Sequence, residues 1–376
     1  MNDQDKVIRR QWGATLHEGG MGNPSYEALA PRISTNEYAE LKGVIKQQKL
    51  LDRQPAYYSC KILLALSMLA LSLTFLLITD SFWLQFLNAA FWLQFLNAAY
   101  LAFVSTQLAF IGHDAGHRQI FQSARKSDLL GLIIANLILG LSRGWWVDKH
   151  NQHHANPNHI DLDPDVDFPI LVFSDEQASS KRGLTRSIVK YQAYFFFPLL
   201  LLEAFNLRVH SIRFLVQRKA KHLLIEALLL VAHFALYFGL LFYLLGVWQA
   251  VLFIVIHQAL FGLYLGSVFA PNHKGMPVLD KDSQVDFLRR QVLTSRNLKA
   301  HRVTDFLFGP LDCQIEHRLF PTMPRNNQRK AEKFVKAFCR ERSIAYHETS
   351  VLQSYREILQ HLHQVSAPLR TQKHWR

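Results

Sequence analysis

The stretch WWVDKHNQHHANPNHIDLDPD, residues 145–165, carries three histidines with helical spacing. His150, His153 and His154 occupy positions i, i+3 and i+4, which share one face of an α-helix. The spacing therefore predicts a helix that directs three imidazoles towards one point. Imidazole is a ligand for zinc, copper, iron and nickel, so the pattern indicates a transition-metal site. The alternative interpretation is a polar loop in a chain that contains 18 histidines.

Further histidine clusters favour the metal site over the polar loop. HDAGH places two histidines at i and i+4, and APNHKGMP and QIEHRLFP add one histidine each. A single catalytic zinc ion uses three protein ligands and keeps one open position. The clusters hold too many histidines for one ion, and their number fits two: His113, His117, His150, His153, His154, His273 and His317.

The composition indicates a membrane protein. The 376 residues are 49% hydrophobic with a net charge of +13, and long uncharged runs alternate with basic segments. Such runs predict transmembrane helices. Lysine and arginine flank the runs instead of forming a separate basic module, which argues against nucleic-acid binding. The three cysteines show no CxxC spacing, and no signal peptide is expected because the first forty residues lack an apolar segment. The predicted spans are about 61–79, 82–111, 223–245 and 247–270.

Charge and ligand positions predict the orientation. Two shorter apolar runs, 129–142 and 192–207, are expected at the cytosolic interface, since a crossing at 129–142 would separate His117 from His150. The proposed outer loops contain no lysine or arginine, which places both termini and all histidine clusters in the cytosol. The predicted fold is an all-α membrane protein, with four transmembrane helices in two hairpins under a cytosolic helical cap that holds the metal site.

The predicted order along the chain is an arm, a catalytic body and a basic tail. Residues 1–55 form a cytosolic arm and an amphipathic helix over 37–54, and residues 56–325 form the membrane and catalytic domain. Residues 326–376 form a basic cytosolic helix followed by a tail that frays from Pro368 onward.

Several polar residues outside the clusters are assigned supporting roles. Asp114 and Asp148 are expected to accept hydrogen bonds from histidine N–H groups. The aspartates at 161, 163, 165 and 167 fail the calcium-loop pattern, because valine stands at its sixth and twelfth positions. That run is expected to be a solvated loop. Two alternatives are that it supports the metal ligands or forms a lid over the site. His233 and His257 lie inside predicted spans and are interpreted as hydrogen-bonded core histidines.

HDAGH, HNQHH and QIEH, in this order and spacing, resemble the membrane fatty-acid desaturase superfamily. The glutamine that opens the third motif, with APNHKGMP and TDFLFG, resembles the front-end acyl desaturases, here without a fused cytochrome domain. The resemblance covers about residues 40–345. It implies an O2-dependent enzyme that uses two electrons to place a cis double bond between an existing double bond and the carboxyl end. It also implies two iron ions, a fatty acyl substrate carried on CoA or a lipid, and a separate electron donor such as a ferredoxin or a cytochrome. The implied ligands are His113, His117, His150, His153, His154, His273, Gln314 and His317.

One residue departs from the family pattern. The third motif of the family ends in two adjacent histidines, whereas this chain has Arg318 in the second position. A guanidinium carries only donors and stays protonated, so it cannot bind iron. The departure leaves three alternatives: an impaired or non-catalytic homologue, a centre completed by another ligand, or altered chemistry. His301 is the nearest spare histidine in sequence, sixteen residues before His317, but no geometric argument assigns it as that ligand. A related di-iron lipid hydroxylase also stays open. A metal transporter is disfavoured, because the histidines lie beyond the spans.

Overall fold

The computed structural model describes residues 36–78, 89–280 and 283–371, which are mostly helical. The first part of the chain contains α1 (Asn36–Gln47), α2 (Pro55–Ile78), α3 (Ala89–Gly116), α4 (Ala124–Leu132), a π-helix (Ile133–Leu139) and α5 (Arg143–Ala155). The middle contains α6 (Asp175–Ser180), α7 (Gly183–Lys190), α8 (Gln192–Leu200), α9 (Glu203–Val216), α10 (Leu223–Leu244) and α11 (Val247–His273). The last part contains α12 (Phe287–Leu293), β1 (Asn297–Leu298), α13 (Arg302–Phe308), a 3-10 turn (Gly309–Leu311), α14 (Gln314–Leu319), α15 (Arg325–Glu341), β2 (Glu348–Thr349), α16 (Val351–Val365) and α17 (Ala367–Thr371).

Four helices, α2, α3, α10 and α11, are long and apolar enough to cross a membrane. They correspond to the four predicted spans, although α2 begins at Pro55 instead of residue 61. Residues 82–88 of the second predicted span lie outside the described residues. Helix α3 continues to Gly116 and so includes the first histidine of HDAGH. The chain is an integral membrane protein.

The two shorter apolar runs form bent helix pairs. The helix over Ala124–Leu139 meets α5 at 113°, and α8 meets α9 at 72°. By length and composition each pair is either a broken span or a re-entrant segment. The expected position of both runs at the cytosolic interface therefore stays a prediction.

The corner before α5 is fixed by polar groups. Gly140 ends the π-helix at a φ of +69°, and a Cβ there would meet the imidazole of His233 at 2.3 Å. The first N–H groups of α5 then all find acceptors: Arg143 N bonds Asn136 Oδ1, Gly144 N bonds Glu226 Oε2, and Trp145 N bonds the hydroxyl of Ser142. Such groups have no partner within their own helix, and a carboxylate beside them is favoured by the helix dipole. The start of the histidine-bearing helix is therefore anchored.

The chain divides into two compact units that interleave in sequence. The membrane unit contains residues 53–151 and 194–269, and the C-terminal unit contains the described residues of 1–52, 152–193 and 270–376. The predicted division into segments 1–55, 56–325 and 326–376 describes roles along the chain, and it stays a prediction.

Core histidines of the membrane unit have hydrogen-bond partners. His257 lies 3.1 Å from the hydroxyl of Ser105 and 2.6 Å from that of Tyr237. The Nδ1 atom of His233 donates to the carbonyl of Leu137 at 3.0 Å. Both residues are buried. The interpretation of both as satisfied core histidines is confirmed.

The core of the C-terminal unit surrounds the basic helix α15. Its Ala331, Val335 and Phe338 are buried in one cluster with Leu41 and Ile45 of α1. The predicted apolar face of this basic helix is therefore confirmed, whereas the predicted N-terminal helix over 37–54 ends earlier, at Gln47. Strands β1 and β2 pair in parallel over two residues.

The tail does not fray at Pro368. Helix α17 continues to Thr371, and Leu369 is only 3% exposed. Leu369 packs with Val172, Val189 and Val365 in an apolar cluster. Burial of that leucine side chain stabilises the segment, so the fraying prediction is wrong for residues 368–371. Residues 372–376 lie outside the described part of the chain.

Candidate metal centre

The membrane unit brings three predicted ligands together. His113 comes from α3, His117 directly follows that helix, and His150 comes from α5. One ring nitrogen from each lies within 4.8 Å of the others. The Nε2 atoms of His117 and His150 are 2.8 Å apart. Two nitrogens bound at right angles to one ion, each at ~2.1 Å, lie about 3 Å from each other. The three imidazoles therefore have the spacing of adjacent ligands.

Neighbouring residues fix the direction of these rings. Asp114 accepts a hydrogen bond from Nδ1 of His113 at 3.1 Å, which leaves Nε2 as the nitrogen available to a metal. Trp146 stacks on His150 with ring centroids 4.4 Å apart. Gly116 allows this approach, since a Cβ there would lie 2.4 Å from the Trp146 ring. The supporting role predicted for Asp114 is confirmed, and the role of Asp148 stays a prediction.

A second close pair lies in the C-terminal unit. The Nε2 atoms of His154 and His317 are 3.2 Å apart, again the spacing of adjacent ligands. Gln328 lies 3.4 Å from Nδ1 of His317, and Gln291 donates to the carbonyl of His154 at 3.0 Å. The helix prediction for HNQHH is confirmed, because His154 lies within α5.

His153 is held from its outer side by a buried carboxylate. Its Nδ1 lies 2.8 and 2.9 Å from the two oxygens of Asp163, which is 1% exposed. Asp163 also accepts from the backbone N–H groups of Asn158 and Asp165, at 2.7 and 2.8 Å. The expectation of a solvated loop is therefore wrong for Asp163, because its carboxylate is buried and accepts hydrogen bonds from three N–H groups. Asp163 instead has a supporting role, because it accepts the hydrogen bond from Nδ1 of His153.

His273 and Gln314 bond directly to each other. Nδ1 of His273 donates to the carbonyl of Thr294 at 2.9 Å, so Nε2 carries the lone pair. The amide nitrogen of Gln314 lies 2.8 Å from that Nε2 and donates to it. The rings of His153 and His273 are neighbours, with centroids 4.7 Å apart.

Arg318 points into this part of the site. It is 1% exposed, and its Nη2 lies 2.6 Å from Nε2 of His153 and 3.3 Å from the His153 carbonyl. Burial lowers the pKa of Arg318 to about 10, while Asp163 and Asp165 oppose that shift. The guanidinium therefore remains protonated at neutral pH. Its Nε and Nη1 have no hydrogen-bond partner among the described residues.

Five of the predicted histidine ligands could bind an iron ion as they are placed in this structure, whereas His153 could not. The trio of His113, His117 and His150 and the pair of His154 and His317 present nitrogens that can bind a metal. At His153 the corresponding nitrogen already accepts from a guanidinium, which is a donor and carries a positive charge. That position, as the chain builds it, does not fit a metal ion.

Some supporting residues carry no sequence signal. Glu316, inside QIEH, is fully buried and accepts from Asn297 at 2.7 Å and from the Tyr346 hydroxyl at 2.9 Å. Burial raises the pKa of Glu316 to about 7, and these two hydrogen bonds oppose the shift. His301, the spare histidine nearest in sequence, accepts from the backbone N–H of Val303 and caps α13. A cap role gives no reason to count it as a ligand.

The model of the family described as "Fatty acid desaturase" matches residues 89–350. The chain belongs to the fatty acid desaturase family. The match contains all four histidine motifs, from HDAGH to QIEH.

Relatives of this desaturase come from distant organisms. An acyl-lipid (9-3)-desaturase of Physcomitrium patens is 29% identical over 88% of this chain, which spans 62% of the relative. The Delta(6)-fatty-acid desaturase fat-3 of Caenorhabditis elegans is 29% identical over 96% of the chain and 82% of its own length. A Delta(8)-fatty-acid desaturase of Euglena gracilis is 27% identical over 86% and 78%.

Proposed function

We propose that this desaturase is an O2-dependent oxidoreductase that introduces a cis double bond into a fatty acyl chain. The proposal rests on the family match together with the two nitrogen pairs, at 2.8 and 3.2 Å, whose spacing suits adjacent ligands of one ion. The names of the relatives place their double bonds at several positions, including Delta(5), Delta(6) and Delta(8). We infer front-end chemistry for this chain, between an existing double bond and the carboxyl end.

The proposed metal is iron. The resemblance implies eight candidate ligands: His113, His117, His150, His153, His154, His273, Gln314 and His317. Five of them have the spacing of adjacent ligands in this structure: His113, His117, His150, His154 and His317. Iron supplies the O2 chemistry that removes hydrogen from an unactivated carbon. The chain's own residues orient the ligands. Asp114, Asp163 and the Thr294 carbonyl each accept from an Nδ1 atom, which holds the lone pair on the opposite ring nitrogen.

The proposed setting is a membrane with the histidines on its cytosolic side. The positive-inside distribution of lysine and arginine supports this orientation for both termini and the site. The acyl substrate would be carried on CoA or on a lipid. Electrons would come from a separate protein such as a ferredoxin or a cytochrome.

Expression in a host that supplies an electron donor tests the function. Acyl chains with and without an existing double bond are fed, and products are analysed by gas chromatography with mass spectrometry. We expect a new double bond on the carboxyl side of the existing one, and no product from His117→Ala or His154→Ala controls at equal protein level. An oxygenated product would favour the lipid hydroxylase. Equal turnover by the control variants would contradict the ligand assignment.

A further inference from the structure

We propose that Arg318 occupies the position of the second metal ion, so that this chain binds one iron ion where the resemblance implies two. The inference rests on the proposed function, since it concerns the same iron site. The observations that support the inference are contacts within the C-terminal unit, made by His153, His273, Gln314 and Arg318.

The nitrogens that would hold the second ion are already used. An imidazole nitrogen has one lone pair in the ring plane, and it serves either a hydrogen bond or a metal. Nε2 of His153 accepts from Arg318 at 2.6 Å, and Nε2 of His273 accepts from Gln314 at 2.8 Å. Both lone pairs are thus taken by donors of the protein itself.

Two carboxylates near His153 also balance the positive charge of the Arg318 guanidinium. The carboxylate of Asp163 holds the far side of His153 at 2.8 Å, and that of Asp165 lies 3.5 Å from the same Nδ1 atom. Arg318 thus has one buried carboxylate, that of Asp163, and one partly exposed carboxylate, that of Asp165, on the other side of the imidazole. An incoming Fe²⁺ ion would meet a fixed positive charge at short distance, in an interior where charges are weakly screened.

The backbone leaves Arg318 little freedom to move away. It lies in α14, all six of whose residues, Gln314–Leu319, are buried. Ile315 and Leu319 pack in the core around α15, and Glu316 is held by Asn297 and Tyr346. Withdrawal of the side chain would require another buried place for a charged group. The guanidinium is therefore a built-in substitute for the second ion.

Iron content of the full-length protein tests the proposal. The purified chain in nanodiscs is loaded anaerobically with Fe²⁺ and desalted, and iron per chain is measured by mass spectrometry. We expect one ion in the natural chain and two in Arg318→His, a twofold rise. Arg318→Met, which removes the charge without adding a ligand, is the matched control and should stay at one. Adding His273→Ala to Arg318→His should return the count to one.

A second measurement distinguishes one ion from two without counting them. The nitric oxide adduct of an isolated ferrous ion gives an electron paramagnetic resonance signal, which magnetic coupling between two such adducts suppresses. We expect the signal in the natural chain and its loss in Arg318→His. Two ions per natural chain, or a silent nitrosyl adduct at full loading, would overturn the proposal, as would one ion in a correctly folded Arg318→His chain.

The measurement uses no substrate, so it separates the two proposals. A chain with one iron ion and no desaturation would overturn the proposed function and leave this inference intact. A chain without iron in any variant would overturn both.

Discussion

Asp163→Asn is expected to destabilise the C-terminal unit strongly, although asparagine has nearly the same shape as aspartate. The carboxylate is buried and accepts N–H groups from His153, Asn158 and Asp165. Asparagine offers one oxygen and turns an NH2 group towards these donors, so at least one buried N–H loses its acceptor. The remaining bonds lose their charge assistance. An unsatisfied buried donor costs ~1–3 kcal/mol, and the weakened bonds add to this, so we expect a loss of ~3 kcal/mol.

The buried cysteines provide the assay. Cys313 and Cys339 are buried and Cys60 is exposed, so a Cys60→Ala background with a maleimide dye reports the opening of the C-terminal unit on heating. A loss of ~3 kcal/mol corresponds to a transition roughly 4 °C lower for a chain of this size. The control is Asp167→Asn, since Asp167 is exposed in the same loop and its change should cost less than ~0.5 kcal/mol. Equal transition temperatures for the two variants would refute the assigned role of Asp163.

Three further changes test other parts of the structure. Glu226→Ala removes the acceptor of the Ser142 hydroxyl at 2.6 Å and of the Gly144 N–H at 3.0 Å, at the start of α5. The free energy of unfolding, measured by thermal melts, should fall by ~3 kcal/mol. A fall below ~1 kcal/mol would contradict the anchoring role. Burial lowers the pKa of His361 to about 4, so the unfolded chain takes up a proton between pH 6.5 and 4 that the folded chain does not. Stability should therefore fall across that window by at most about 3 kcal/mol, and His361→Gln should flatten the fall in melts recorded at each pH. His117→Ala should lower iron content in the same loading assay, and undiminished iron would remove His117 from the ligand set.

The sequence predicted the features that depend on local pattern. The four spans follow from runs of apolar residues, and the helix of HNQHH follows from its spacing of three and four. Ends of elements were less accurate, because Pro55 begins α2 before the apolar run starts, and because the tail is held by the packing of Leu369.

Contacts between distant parts of the chain could not be predicted in the same way. Arg318 bonds His153 across 165 positions, and Glu316 depends on Tyr346, 30 positions later. No periodicity links such residues. The aspartate run also depends on such contacts. Its composition indicates a solvated loop, but Asp163 is buried because its carboxylate accepts hydrogen bonds from His153 and from two backbone N–H groups. The departure at Arg318 was visible as a missing ligand, but its contact with His153 required the structure.

The buried guanidinium would also bear on electron transfer to the proposed iron. Arg318 directly follows His317, one member of the pair formed with His154. A permanent positive charge beside an iron ion favours its lower oxidation state and so raises its reduction potential. Iron at that pair would accept electrons from a weaker reductant than it would in an Arg318→Met chain.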